Sequence, residues 1–161
     1  GNGEAWRARE DAYAAGKLRA IGVSNFKKGD LDNILSSCKV RPMVNQILLH
    51  ISSTDLTLID YCKAQGILVQ AYSPIAHGEA LKNGQIAAMA QKYGVSPAAL
   101  CVRYVLELGT VALPKTADPA HMEDNAAVDF SISAGDMEVL KQMAPIESYG
   151  AFSHFPVFSG K

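Results

Sequence analysis

The feature that most constrains the fold of this chain is the alternation of four short apolar runs with stretches of helical periodicity. The runs span residues 18–23, 42–50, 67–71 and 110–113, and glycine, proline or small polar residues bound them. Each run is too short for a typical helix and predicts a buried strand. Because the runs are mainly apolar and do not strictly alternate, we expect strands covered on both faces, as in a parallel sheet.

Seven helix patterns surround these runs, at residues 4–15, 30–37, 55–65, 85–93, 97–108, 118–125 and 134–143. Ser53 or Thr54 is the predicted N-cap of the third helix, and Ser96 followed by Pro97 predicts the start of the fifth. Ser133 is expected to cap the last helix. The order of elements predicts a single α/β domain over residues 1–161, built from four consecutive β/α units.

Composition narrows the class of protein. The 161 residues are 48% hydrophobic and carry 15 basic and 16 acidic side chains, for a net charge of -1. This balance fits a globular domain and predicts no nucleic-acid partner and no membrane surface. No apolar run reaches the roughly 18 residues of a spanning helix and no signal peptide is recognised, so we expect a cytoplasmic protein. The wide spacing of Cys38, Cys62 and Cys101 predicts buried thiols, and no metal site is expected.

Polar side chains follow or interrupt every predicted strand. They are Ser24 and Asn25, Asn45 and Gln46, Tyr72 and Ser73, and Lys115 and Thr116. Ligands of α/β proteins bind at the carboxyl ends of the strands, so we expect these groups to line a binding site. Amides inside a buried strand must be hydrogen-bonded, which makes Asn45 and Gln46 either structural pins or ligand contacts.

The last of these pairs predicts an anion site. Lys115 and Thr116 precede the helix that begins at Asp118, where backbone N–H groups, a cation and a hydroxyl would meet. No nucleophile with an adjacent base and no pair of carboxylates accompanies the strand ends. The residues therefore indicate ligand binding more directly than catalysis.

Residues 16–26, with the sequence GKLRAIGVSNF, closely resemble the G-K-x-R-x-I-G-V-S-N-F segment of the aldo-keto reductases. Further family segments follow in order, N-Q at 45–46, A-Y-S-P at 71–74 and P-K-T at 114–116, and the resemblance extends from about residue 6 to about residue 143. It implies a TIM-type (β/α)8 barrel, which needs about 250 residues. Four β/α units are about the second half of such a barrel, with residues 143–161 as its carboxyl-terminal loop. The implied activity is NAD(P)H-dependent reduction of small-molecule carbonyl compounds to alcohols.

The resemblance also implies the cofactor-binding residues. In the family pattern, Ser24, Asn25 and Gln46 bind the nicotinamide carboxamide, Tyr72 stacks on the nicotinamide ring, and Ser73 and Ile75 line the pyrophosphate path. Lys115, Thr116, His121, Asp124 and Asn125 match the site for the adenosine 2'-phosphate and adenine.

Two positions depart from the family pattern. His121 stands where the family usually has arginine, and Asp124 stands where it usually has glutamate. Arginine is permanently charged and can bind a phosphate with two hydrogen bonds, whereas neutral histidine can stack on adenine but binds phosphate weakly. NADPH is the implied cofactor, and NADH stays open.

The resemblance assigns no catalytic residue to this chain. The catalytic Asp, Tyr, Lys and His of the family lie upstream of the matched segments, Tyr72 is not the proton donor, and His50 matches a position outside this tetrad. We therefore expect the cofactor-binding half of a reductase, inactive by itself. A half barrel exposes apolar strand edges, so we expect a homodimer or pairing with the missing half barrel.

Two other functions stay open. Some barrels of this family are non-catalytic regulatory or binding proteins. Residues 24–27 also fit the S-x-x-K motif of serine hydrolases, and residues 115–117 are similar to K-T-G, but S-D-N and the glycine after the threonine are absent. The aromatic residues of the tail form either a substrate-pocket loop or packing over the barrel mouth: Tyr149, Phe152, Phe155 and Phe158.

Overall fold

The structure is a computed structural model that describes residues 2–154. Its α-helices are α1 (Asn2–Ala14), α2 (Lys28–Leu35), α3 (Leu56–Ala64), α4 (Gly84–Tyr93), α5 (Pro97–Glu107), α6 (Pro119–Ala126) and α7 (Ala134–Lys141). Its strands are β1 (Gly22–Ser24), β2 (Val44–Leu48), β3 (Leu68–Tyr72) and β4 (Val111–Leu113). Two stretches of 3₁₀ helix span Ala76–Lys82 and Gly150–His154, and the backbone of the first is interrupted by non-helical conformations at His77 and Gly78. Phe155 and Phe158 of the predicted aromatic tail lie outside the described residues.

The four strands form one sheet in the order β1-β2-β3-β4, and β1 pairs with β2 in parallel. Every predicted strand and helix is present, although β1 begins at Gly22 and not at residue 18. Leu18 is exposed, so that end of the apolar run lies outside the strand.

The prediction that the strands are covered on both faces is wrong. In β2, Asn45 and Ile47 are buried while their neighbours are only half-buried, because successive side chains point to opposite faces of a sheet.

The chain divides into two compact units. The first comprises the described residues up to Ile47 together with Asp55–Gln70. The second comprises Leu48–Thr54 and the described residues from Ala71 onward. The predicted single domain over residues 1–161 stays a prediction.

A buried tryptophan centres the core of the first unit. Trp6 packs with Ile21 and Ile34, and its indole N–H donates a hydrogen bond to the Val40 carbonyl at 3.1 Å. Glu10, one turn further along α1, accepts a hydrogen bond from the Val40 N–H at 2.8 Å, and this bond lowers the pKa of the Glu10 carboxyl. Helix α1 is therefore held to the stretch that leads into β2.

Helix α5 is central to the second unit and packs on α4, α6 and β4. Ser96 caps it, as predicted, because its hydroxyl accepts a hydrogen bond from the Ala99 N–H at 3.0 Å. Leu100 and Tyr104 are fully buried on its inner face. The Tyr104 hydroxyl lies 2.7 Å from the Thr54 hydroxyl, which satisfies a polar group inside the core.

One predicted helix cap is wrong. Asp55, and neither Ser53 nor Thr54, is the N-cap of α3, and its carboxylate accepts a hydrogen bond from the Leu58 N–H at 2.9 Å. The Thr54 hydroxyl is instead engaged with Tyr104 in the core of the second unit. Asp55, the next residue with an acceptor oxygen in its side chain, therefore caps the helix.

An ion pair joins α4 to α7 in the second unit. Lys92 Nζ lies 2.7 Å from the Asp136 carboxylate, and this contact is the main reason that the pKa of Asp136 falls to about 2. Ser133 caps α7, as predicted, by accepting a hydrogen bond from the Asp136 N–H.

The prediction of buried thiols is confirmed in part. All three cysteines are free, and Cys62 and Cys101 are buried while Cys38 is half-buried. Burial raises the pKa of Cys101 to about 12.

The close approach of β1 to β2 requires glycine at position 22. A Cβ at Gly22 would lie 2.7 Å from the Val44 carbonyl oxygen and 2.9 Å from the Val44 Cβ. Both distances are shorter than ordinary van der Waals contact. The pairing that sets Ser24 opposite Gln46 therefore depends on the missing side chain.

We predict that Gly22→Ala destabilises the chain by about 1–3 kcal/mol, because the added methyl group must displace Val44 or separate the strands. Urea denaturation followed by circular dichroism measures the change. Gly29→Ala is the matched control, since a Cβ at that helical position meets no atom within 4 Å. Alanine should stabilise α2 there by roughly 0.5–1 kcal/mol. An unchanged unfolding midpoint for Gly22→Ala would contradict the required close approach.

Candidate functional site

The carboxyl ends of β1 and β2 bring three predicted site residues together in the first unit. Ser24 lies opposite Gln46 in the sheet. The Gln46 carbonyl accepts a hydrogen bond from the Ser24 hydroxyl at 3.1 Å and another from the Asn25 N–H at 2.8 Å. The Gln46 side chain is half-buried, and its amide donates to Gln70 Oε1 at 3.2 Å. The side chains of Ser24 and Asn25 are exposed at this end of the strands, where a ligand can reach them.

Asn45, the neighbouring amide of β2, is a structural pin. Its side chain is fully buried, its Nδ2 donates to the Phe26 carbonyl at 3.0 Å, and its Oδ1 accepts from the Phe26 N–H at 3.4 Å. Nδ2 also lies 3.8 Å from Cys62 Sγ. These contacts fix the turn that follows β1. The alternative between pin and ligand contact is thereby decided for Asn45.

Three further predicted residues lie at or after the end of β3, in the second unit. Tyr72 is the last residue of the strand and is half-buried. Ser73 has a left-handed φ of 53°, and its hydroxyl lies 3.1 Å from Nε2 of His77. Ile75 lines a pocket that belongs wholly to this unit.

That pocket has a volume of about 190 Å³. It brings together six of the predicted residues: Ile75, Lys115, Thr116, His121, Asp124 and Asn125. Tyr72 and Ser73 do not belong to the lining given by the described residues. A cation, a hydroxyl, an imidazole and an amide around one cavity can bind a phosphate group and a flat heterocycle.

The start of α6 differs in detail from the predicted anion site. The carboxylate of Asp118 accepts a hydrogen bond from the Ala120 N–H at 2.9 Å, and the Thr116 hydroxyl accepts one from the Asp118 N–H at 3.1 Å. Two backbone donors expected to face an anion are thus engaged within the chain. The His121 side chain is exposed, with Nε2 4.0 Å from the Asp118 carboxylate. An anion here would be held more by Lys115 than by the helix start.

Sequence reasoning missed four residues that line the pocket: Leu81, Ser96, Pro97 and Ala98. The last three form the start of α5, and the Ser-Pro pair predicted only a helix cap. Helix starts are also common ligand-binding positions, and this general signal could have identified them. Leu81 lies in the first 3₁₀ helix, for which the sequence shows no comparable signal.

The described residues contain neither a metal-binding cluster nor the arrangement that an S-x-x-K serine hydrolase requires. In residues 2–154, no group of three or more His, Cys, Asp or Glu side chains could hold a metal ion. Ser24 ends a strand and does not begin a helix, and its hydroxyl donates to a backbone carbonyl. This geometry does not fit the serine nucleophile of an S-x-x-K hydrolase. Over the same residues, no helix is both long enough and apolar enough to cross a membrane.

The motifs and the fold agree with one family. The model of the aldo/keto reductase family matches residues 3–145. The chain belongs to this family. An uncharacterized oxidoreductase of Schizosaccharomyces pombe is 45% identical over 139 residues, which are 85% of this chain and 50% of that protein. Glyoxal reductase of Bacillus subtilis is 38% identical over 148 residues, which are 91% of this chain and 54% of that protein. The chain thus spans about half the length of these relatives.

Solved structures of aldo-keto reductases share this fold. The aldose reductase of Schistosoma japonicum matches with a TM-score of 0.85 and 29% identity, covering 97% of this chain and 50% of that chain. An aldo-keto reductase of the silkworm Bombyx mori, complexed with NADPH, matches with a TM-score of 0.81 and 32% identity, covering 87% and 46%. These similarities confirm the predicted fold class, an α/β chain that corresponds to part of a (β/α)8 barrel.

We predict that Asn45→Ala lowers the free energy of unfolding by about 1–3 kcal/mol, because two backbone groups of Phe26 lose their hydrogen-bond partner. Gln46→Ala is the matched control, since this adjacent amide is only half-buried, and its loss should stay within about 0.5 kcal/mol. Denaturation curves of the two variants measure both effects. Equal losses would contradict the assignment of Asn45 as the structural pin.

Proposed function

We propose that this chain is the dinucleotide-binding part of an NADPH-dependent aldo-keto reductase that reduces carbonyl compounds to alcohols. The observation that carries the proposal is the pocket of the second unit, because six residues implied by the family pattern surround it. The NADPH complex of the silkworm relative supports the choice of cofactor.

The pocket supplies the groups that the adenosine end of NADPH requires. Lys115 would pair with the 2'-phosphate, and the Thr116 hydroxyl would donate a hydrogen bond to it. His121 would stack on or hydrogen-bond the adenosine. The Asp124 carboxylate would accept a hydrogen bond from the adenine amino group, and the Asn125 side-chain NH2 would donate one to a ring nitrogen of adenine.

The nicotinamide end would be recognised by the polar groups that follow β1 and β2. The Ser24 proton is directed at the Gln46 carbonyl, so the Ser24 oxygen is oriented to accept a hydrogen bond from the carboxamide NH2. Asn25 and the Gln46 side chain would complete the recognition of the carboxamide. The Tyr72 ring, at the end of β3, would stack on the nicotinamide.

The reaction supplied by bound NADPH is hydride transfer to a carbonyl carbon, and a general acid must protonate the carbonyl oxygen. We assign no such acid to these 161 residues, so we expect the chain to bind cofactor without turnover.

We further propose that it acts in the cytoplasm and pairs with a second half barrel or with another copy of itself. Sedimentation at high concentration tests the pairing, and a stable monomer would contradict it.

Titration calorimetry with NADPH and NADH tests the binding function. We expect NADPH to bind at least about tenfold more tightly than NADH, because a 2'-phosphate contact is worth about 1.4 kcal/mol or more. Lys115→Met should remove most of this difference, whereas Lys63→Met, on an exposed position of α3, should not change it. Absence of binding by the wild-type chain would contradict the proposed function.

A gain of phosphate affinity is expected at the position where the chain departs from the family. His121→Arg should tighten NADPH about five- to tenfold and leave NADH within twofold, because the guanidinium adds a charged contact only to the 2'-phosphate. Met122→Arg adds the same charge one residue away on α6, at an exposed position outside the pocket lining, and serves as the control. Equal effects of His121→Arg on both cofactors would contradict a phosphate contact at this position.

A further inference from the structure

The segment of residues 73–78 has an unusual backbone. Ser73, Ala76 and His77 have φ values of 53°, 50° and 54°, in a region that residues other than glycine rarely occupy. Such conformations cost free energy and persist only where the surroundings hold them. Within the segment, the Ala76 N–H donates to the Ser73 carbonyl at 2.8 Å, and the Gly78 N–H donates to the Ile75 carbonyl at 2.9 Å. Side-chain contacts from other elements supply further support.

The His77 ring is the point at which those other elements hold the segment. Phe152 stacks on this ring with a centroid distance of 4.1 Å and an interplanar angle of 21°. Tyr149 meets the same ring edge-on at 6.5 Å. Nε2 of His77 also lies 3.1 Å from the Ser73 hydroxyl. One imidazole therefore connects the start of the segment to residues near the end of the described chain.

Tyr149 is anchored in turn on a buried histidine of the same unit. Its hydroxyl lies 3.0 Å from Nε2 of His50, which is fully buried. Nδ1 of His50 faces the Ile51 carbonyl, which can only accept a hydrogen bond, so Nδ1 carries the proton and Nε2 accepts from the tyrosine. A second tie is the hydrogen bond from the Ile146 N–H to the Ser52 hydroxyl at 3.3 Å. Contacts that do not involve His77 thus also hold the residues around position 149 in place.

We propose that Tyr149 and Phe152 form an aromatic clasp that positions the 73–78 segment for a bound dinucleotide. The proposal rests on the proposed function, which assigns Ser73 and Ile75 to the pyrophosphate path. Ile75 lies at the edge of the pocket that contains Lys115, so the segment leads from the proposed pyrophosphate path to that pocket. Phe152 is 48% exposed and is not part of the buried core, so we expect the core of the unit to tolerate its removal. It is a positioning residue, because it acts on the cofactor site through His77.

Hydrogen exchange on the ligand-free 161-residue chain tests the clasp without any cofactor. Phe152→Ala should speed amide exchange in residues 73–78 about tenfold and leave α5 unchanged, because the left-handed backbone loses its outer support. Phe152→Tyr keeps the stacked ring and should restore the wild-type rate. Val139→Ala removes a comparably exposed apolar side chain on α7 and is the control. Exchange in residues 73–78 that is as slow in Phe152→Ala as in Val139→Ala would overturn the proposal.

Binding of two different ligands tests the clasp and the proposed function independently. NADPH extends across the pyrophosphate path, whereas adenosine 2'-monophosphate has no 5'-phosphate and occupies only the adenosine end. Phe152→Ala should weaken NADPH about tenfold and leave the monophosphate within twofold. Equal weakening of both ligands would overturn the positioning role. If the wild-type chain binds neither ligand, the proposed function fails, and the hydrogen-exchange result alone decides whether the clasp exists.

Discussion

The first unit depends on the absence of one side chain. Because Gly22 has no Cβ, β1 approaches Val44 closely, and this approach sets the register that places Ser24 opposite Gln46. One backbone carbonyl then orients two polar groups, while Asn45 secures the same turn from inside the core. Groups that are already held by backbone hydrogen bonds lose little further freedom when a ligand binds. This pre-organisation suits a recognition site.

The pocket of the second unit follows a different principle, because its lining carries charges of both signs. Lys115 shares the pocket with Asp124, and His121 lies near the carboxylate of Asp118. Exposed charges attract weakly in water and are screened by salt. The pocket is therefore not a strong general anion trap. Discrimination between phosphorylated and unphosphorylated adenosine would depend on a few direct contacts, most of all on that of the lysine.

The elements of this chain are predictable from sequence because strand and helix signals are local, and every predicted element is present. The environment of a residue is less predictable. The sequence predicted Ser53 or Thr54 as the N-cap of α3, and the cap is Asp55. Tyr104, the partner of the Thr54 hydroxyl, is fifty residues away and could not be foreseen from the local sequence. Asn45 and Gln46 present a similar problem, since adjacent strand residues point to opposite faces and a shift of one residue exchanges their roles. The motif residues of the pocket were predictable from the family pattern, whereas its wall at the start of α5 came from tertiary packing.

The burial of the thiols has a chemical consequence. Burial raises the pKa of Cys101 to about 12, so this thiol stays protonated at pH 7. A thiol reacts as the thiolate and only where the reagent can reach it. Cys38 is half-buried, whereas Cys62 and Cys101 are buried, so oxidants and alkylating reagents should reach Cys38 first. Reaction at Cys101 requires α5 to become exposed. The alkylation rate of Cys101 therefore reports how often the second unit opens, and mass spectrometry can follow it.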